Sequence, residues 1–147
     1  MSKTYTSPNL SAILRKARIV AVVGCSDDLT RYSNRAARYL RDSGYSIIPV
    51  NPNHDELLDE KCYPSVTDIG EDVALDIVVI FRKPAHTADM VRDVITRFEK
   101  TGRRPVVWTQ IGVSSPEARE LAVENGFTYV SNRCVMVEHS RLELAAT

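Results

Sequence analysis

Five short segments of this chain gather the residue types that handle charged ligands. The first, GCSDDLTRYS (24–33), sets a glycine, a thiol, two serine hydroxyls and a guanidinium close together. Gly24 allows a sharp turn after an apolar run, and free N–H groups ahead of a helix favour an anion. Ser26 and Ser33 can hydrogen-bond phosphate oxygens, and Arg31 can add charge-assisted bonds. The same loop also reads as an ordinary connection with a capping serine and solvated arginines. Cys25 within it is either a reactive thiol or a small buried hydrophobe.

The second segment is VNP (50–52), the third FRKP (81–84), the fourth QIG (110–112) and the fifth RC (133–134). Asn51 and Pro52 stand where a nicotinamide dinucleotide fold places an acid for the ribose, so that ligand is disfavoured. Arg82 and Lys83 put two cations side by side. Gln110 and Gly112 border a helix start in SSPE. Cys134 follows Arg133 and precedes a helix, both of which favour thiolate, but it reads equally as a small buried hydrophobe, the commoner fate of a lone cysteine. Cys62 lies away from these segments and reads as structural. The three histidines, His54, His86 and His139, occupy a polar loop, a helix start and the last helix. They make no metal-ligand spacing and no Ser–His–Asp set. A binding module is therefore favoured over a stand-alone enzyme.

These segments need elements to hold them. IVAVVG (19–24) is an apolar, β-branched run that suits a strand buried on both faces. YSIIPVNP (45–52), ALDIVVIFRKP (74–84), RPVVWTQIG (104–112) and FTYVSN (127–132) hold four more strands. Helical spacing predicts a helix from Leu10 to Ala17, another from Asn34 to Ser43 closed by Gly44, and one that ends near Gly102. Ser115 caps a further helix with Pro116 in its first turn, and 137–145 closes the chain. Strands alternating with helices imply a single α/β domain with a doubly wound, five-stranded parallel sheet and helices on both faces. The expected strand order is 3-2-1-4-5. Ligands of such sheets bind beyond the carboxyl ends of the strands, where all five segments fall. The pair Arg103 and Arg104 precedes the fourth strand, at the opposite edge, and is assigned to solvent.

Composition narrows the function class. The chain has 147 residues, 19 basic and 19 acidic, with 44% apolar and 26% charged content. That suits one domain over 1–147, with a core at about 10–142. Neutral balance gives no support for nucleic acid or an anionic membrane as partner. No apolar stretch approaches the roughly 20 residues of a membrane helix, and the start is no signal peptide. Three cysteines without C-x-x-C spacing fit a reducing cytoplasm. Exposed apolar helix faces would allow a homodimer.

The segments VVGCSDDLTRYSNRAARYLRDSGYSIIPVNP, DIVVIFRK, VVWTQIGV and VSNRCVMVEH together carry a family resemblance. From about Leu10 to Leu142 the chain resembles the small bacterial and archaeal CoA-binding proteins with a Rossmann-like fold. It is also similar to the amino-terminal CoA-binding domain of the succinyl-CoA synthetase alpha subunit. The resemblance implies coenzyme A or an acyl-CoA as ligand. Gly24, Ser26, Arg31 and Ser33, with Cys25 among them, would cradle the pyrophosphate. Val50, Asn51 and Pro52 would flank adenine and ribose. Phe81, Arg82, Lys83 and Pro84 would line the groove nearby, and Gln110 and Gly112 the pantetheine path. Cys134 would reach the pantetheine thiol for a mixed disulfide. Two residues depart from the family pattern: Tyr32 stands in place of proline and Asn132 in place of aspartate. Alternatives are an NAD(P)-linked oxidoreductase or a subunit of an acyl-CoA-processing enzyme.

Overall fold

The computed structural model describes residues 5–145. Five parallel strands form the sheet: β1 (Ile19–Val23), β2 (Ser46–Val50), β5 (Ile77–Ile80), β6 (Val106–Thr109) and β7 (Tyr129–Val130). Between β2 and β5 the chain makes a small antiparallel hairpin, β3 (Glu56–Leu57) and β4 (Glu60–Lys61), and a 3-10 turn at Val66–Asp68. The helices are α1 (Leu10–Lys16), α2 (Tyr32–Asp42), α3 (Pro84–Thr101), α4 (Pro116–Glu124) and α5 (Val135–Ala145).

Successive strand side chains point to opposite faces, so each central strand feeds two cores. Val20, Val22, Ile77, Val79 and Trp108 pack against Leu14 of α1, Ala36, Ala37 and Leu40 of α2, and Val135 of α5. Ala21, Val23, Val78, Ile80 and Val107 pack against Ala88, Val91 and Val94 of α3 and Ala118 and Ala122 of α4. Burial on both faces explains why these runs do not alternate apolar with polar. The small alanines of α2 and α4 let those helices sit close to the sheet. Trp108 is fully buried, and its indole N–H donates to the Arg133 carbonyl at 2.8 Å.

The α/β class and the five parallel strands agree with the sequence-based expectation. The strand order does not. The sheet runs β2-β1-β5-β6-β7, so the five predicted strands lie 2-1-3-4-5 rather than 3-2-1-4-5. β5 pairs with β1, matching Val20 to Ile77 and Val23 to Ile80. β2 is left at the edge. Its fourth residue, Pro49, has no N–H, and proline in a strand is confined to edges. On its outer side β2 meets Tyr63, whose N–H donates to the Pro49 carbonyl at 3.2 Å. The new order moves the switch point to the gap between β1 and β5. From β1 the chain leaves to α2 on one face, and from β5 to α3 on the other.

Two element ends also shift. α2 begins at Tyr32, before the expected Asn34, with Arg31 as its N-cap and no side-chain cap bond. α5 begins at Val135 instead of 137, its first N–H held by the Gln110 side chain at 2.9 Å.

Candidate functional site

Gly24 sits at the switch point with φ +81°, in the left-handed region that favours glycine. A Cβ there would lie 2.2 Å from the Phe81 carbonyl oxygen and 3.2 Å from Arg82 Cδ. The ends of β1 and β5 therefore meet in backbone contact, and Arg82 crosses directly over the glycine. Two cavities open on either side of that crossing, and Arg82 lines both.

The smaller cavity, about 100 Å³, lies on the α3 face. Its walls include Gly24, Val50, Asn51, Pro52, Pro64, Val66 and Met90, and its polar groups include Ser65 and Asp93. Asn51 works at both ends of its amide: its Nδ2 donates to the Cys25 carbonyl at 2.8 Å and its Oδ1 accepts from the Asn53 N–H at 2.9 Å. It clamps the end of β2 to the loop after β1. Burial pushes the Asp93 carboxyl up; the Ser65 hydroxyl opposes this, and Asp89 and Asp68 add to it.

The larger cavity, about 1100 Å³, opens between α2, α5 and the loops after β5 and β6. Seven expected site residues line it: Phe81, Arg82, Lys83, Pro84, Gln110, Gly112 and Cys134. Lys83 caps α3 and Pro84 opens it, which sets their side chains at the rim. Gln110 is nearly buried and spends its carbonyl on the start of α5. Asn132 takes φ +62° and accepts the Gly112 N–H at 2.8 Å, so it fixes the loop after β6. Cys134 is half-buried and free. Its neighbour Arg133 lies 3.9 Å from Glu138.

The loop after β1 behaves differently from expectation. The Cys25 thiol is fully buried in the core and does not face either cavity. Burial, helped by Cys62, pushes it up to about 12, which keeps it protonated and inert. Ser33 is buried, and its hydroxyl accepts the Ser26 N–H at 2.9 Å. Ser26 in turn accepts the Asp28 N–H at 3.0 Å and the Asn34 amide on its carbonyl at 2.8 Å. These bonds brace the loop, and none of Ser26, Ser33 or Arg31 lines a cavity. Arg31 is exposed beside Tyr32 and Arg35, which do.

Several lining residues were not picked out from the sequence. Tyr32, Arg35 and Tyr39 come from α2, and Met136, Val137 and Ser140 from α5. Tyr39 is held by His139, whose Nδ1 lies 3.0 Å from its hydroxyl. Ser65 and Asp93 come from the 3-10 turn and α3. All lie away from strand ends. The signal for α2 was its spacing: Tyr32, Arg35 and Tyr39 recur at three and four residues, one face of a helix.

Among the described residues no group of three or more His, Cys, Asp or Glu could hold a metal ion, and no helix is long and apolar enough to cross a membrane. The chain is 36% identical over 131 residues to YneT of Bacillus subtilis (strain 168), covering 89% of this chain and 92% of that one. It is 31% identical over 112 residues to the ADP-forming acetate–CoA ligase II of Archaeoglobus fulgidus. That match covers 75% of this chain but 16% of the ligase, so the ligase is far longer. Among solved structures, a protein from Pyrococcus horikoshii OT3 superposes with a TM-score of 0.84 at 37% identity, covering 97% of this chain and 99% of that one. Residues 18–140 match the CoA binding domain, so with its crevice at the carboxyl edge of the sheet the chain belongs to the CoA-binding domain family.

Proposed function

We propose that the protein binds coenzyme A or an acyl-CoA across the β1–β5 switch point. The observation that carries this reading is the pair of cavities joined at Arg82, with Lys83 on the same rim. Neither Arg82 nor Lys83 makes a side-chain hydrogen bond or ion pair among the described residues. Uncompensated cations at the join suit the pyrophosphate, with Arg31 nearby. The adenosine end fits the small apolar cavity, and pantetheine the large one, which leads to Cys134. Directly after β2 stand Asn51 and Pro52 rather than the acid that grips a nicotinamide dinucleotide's ribose. The reading is of a binder, carrier or sensor of the thiol, or a partner of an acyl-CoA enzyme, because the residues lining the crevice form no Ser–His–Asp set among the described residues.

Calorimetry with CoA, dephospho-CoA, NAD and NADP tests the reading. CoA should bind best, and Arg82→Ala should weaken it. Tighter NAD binding, or CoA affinity unchanged in Arg82→Ala, would overturn it. Cys134 should also exchange with CoA disulfide: its thiolate attacks one sulfur, a protein–CoA disulfide forms, and one CoA thiolate leaves. Intact mass after such treatment should show one CoA adduct, absent in Cys134→Ser. Native mass spectrometry of the same samples counts subunits and tests for a homodimer.

A further inference from the structure

The small cavity holds a carboxylate that the binding of phosphates does not explain. Asp93 sits on α3 with one oxygen, Oδ2, accepting the Ser65 hydroxyl at 3.3 Å. Among the described residues its other oxygen has no hydrogen-bond partner. The rest of the wall is largely apolar: Val50, Pro52, Pro64, Val66 and Met90. Flat apolar walls with a few convergent polar groups are how a heterocycle is held and oriented.

Charge decides which part of the ligand goes there. The cavity is polar at two ends: Asp93, with Asp89 and Asp68 acting on it, stands on one wall, and Arg82 on another. A phosphate would be repelled and belongs on the Arg82 side. A neutral ring carrying an N–H donor is what an acceptor in an apolar slot recruits. We infer that Asp93 is a specificity-determining residue that accepts a hydrogen bond from the exocyclic amine of the ligand's purine, with Ser65 holding the carboxylate in place. This rests on the CoA reading and adds the base discriminator to it. A purine without that amine covers the half-buried acceptor and leaves it unpaired, which is penalised more than a missing methylene.

The test uses adenosine 3′,5′-bisphosphate and its analogue with a purine base lacking the 6-amino group. Calorimetry on the wild-type protein should show about tenfold or greater preference for the amine. In Asp93→Ala the preference should fall to about twofold or less, because no acceptor remains to be stranded. Asp93→Asn, which keeps the volume, serves as the folding control and should retain an intermediate preference. An equal preference in wild type and Asp93→Ala would overturn the inference. So would a 2′-deoxy analogue that loses its affinity only when Asp93 is present, since the acid would then be gripping ribose. If neither bisphosphate binds while Arg82→Ala also changes nothing for CoA, the CoA reading itself has failed instead.

Discussion

The two edges of the sheet carry similar charges and use them in opposite ways. At the amino edge, Arg103 donates to the Asp76 carboxylate at 2.6 Å and to the Leu75 carbonyl at 3.2 Å. Arg104 lies 4.0 Å over the Phe98 ring and donates to the Asn125 carbonyl at 2.9 Å. At the carboxyl edge, Arg31, Arg82 and Lys83 have no such partners among the described residues. Paired cations hold the fold, whereas unpaired cations around a cavity leave a potential for a ligand to satisfy. Arg103 and Arg104 are exposed at the expected edge, and the structure adds that their guanidinium groups also join it.

This contrast can be broken at its hinge. Gly24→Ala forces a side chain into left-handed backbone and against the Phe81 carbonyl, so stability should fall by about 3 kcal/mol or more. Chemical denaturation measures it, and CoA binding should vanish with it. An unchanged midpoint would show that the β1 and β5 ends do not touch.

Asp76 is the next largest effect. Burial alone would raise its carboxyl, but the N–H groups of Ile19 and Arg18 and the Arg103 guanidinium outweigh it and hold it below its ordinary value. A depressed folded-state value adds stability that is present above the unfolded value of about 3.9 and lost as pH falls through the lower one. Asp76→Asn should cost about 2 kcal/mol at neutral pH and flatten the acid limb of the stability curve, with ligand affinity unaltered. A variant that loses affinity instead would erase the distinction between edges.

Arg82→Ala should do the reverse. Stability should move by less than about 0.5 kcal/mol, as for an exposed side chain without partners. CoA affinity should fall about tenfold, as expected for lost charge-assisted bonds to phosphate. The smallest effect belongs to Cys134→Ser, which should leave reversible CoA affinity within about twofold. Alkylation of the native protein should mark Cys134 and spare Cys25 and Cys62, which are 0% and 4% exposed. Equal labelling of all three would contradict the buried placement of the other two.

Hydrophobic periodicity located every strand of the main sheet and the faces of the helices, because burial writes directly into that pattern. Reading the residues after each strand found seven of the sixteen residues that line the large cavity, because a doubly wound sheet forces its loops to one edge. Strand order was harder. The signals against an interior β2 were Pro49 and the lack of a helical pattern between 51 and 76, and both are weaker than the general habit of such sheets. The β3–β4 hairpin was invisible because its turn uses Leu58 and Asp59 at φ +55° and +62°, without the usual Asn-Gly pair. Asp93 was missed for a different reason. It lines the site from the third turn of a long helix, where spacing alone cannot separate a cavity wall from solvent. Cys25 shows the converse: its loop position suggested chemistry, and only packing reveals a core side chain.

The margins of the sheet have a consequence for life at high concentration. An open strand border invites another molecule to continue the ladder. Here one border lacks a donor at Pro49 and is crossed by Tyr63, and the other is β7, only two residues long. Neither offers a template of useful length. Replacing Pro49 by valine would restore the missing N–H and give intermolecular stacking a foothold, which light scattering over days would register as growing fibrils.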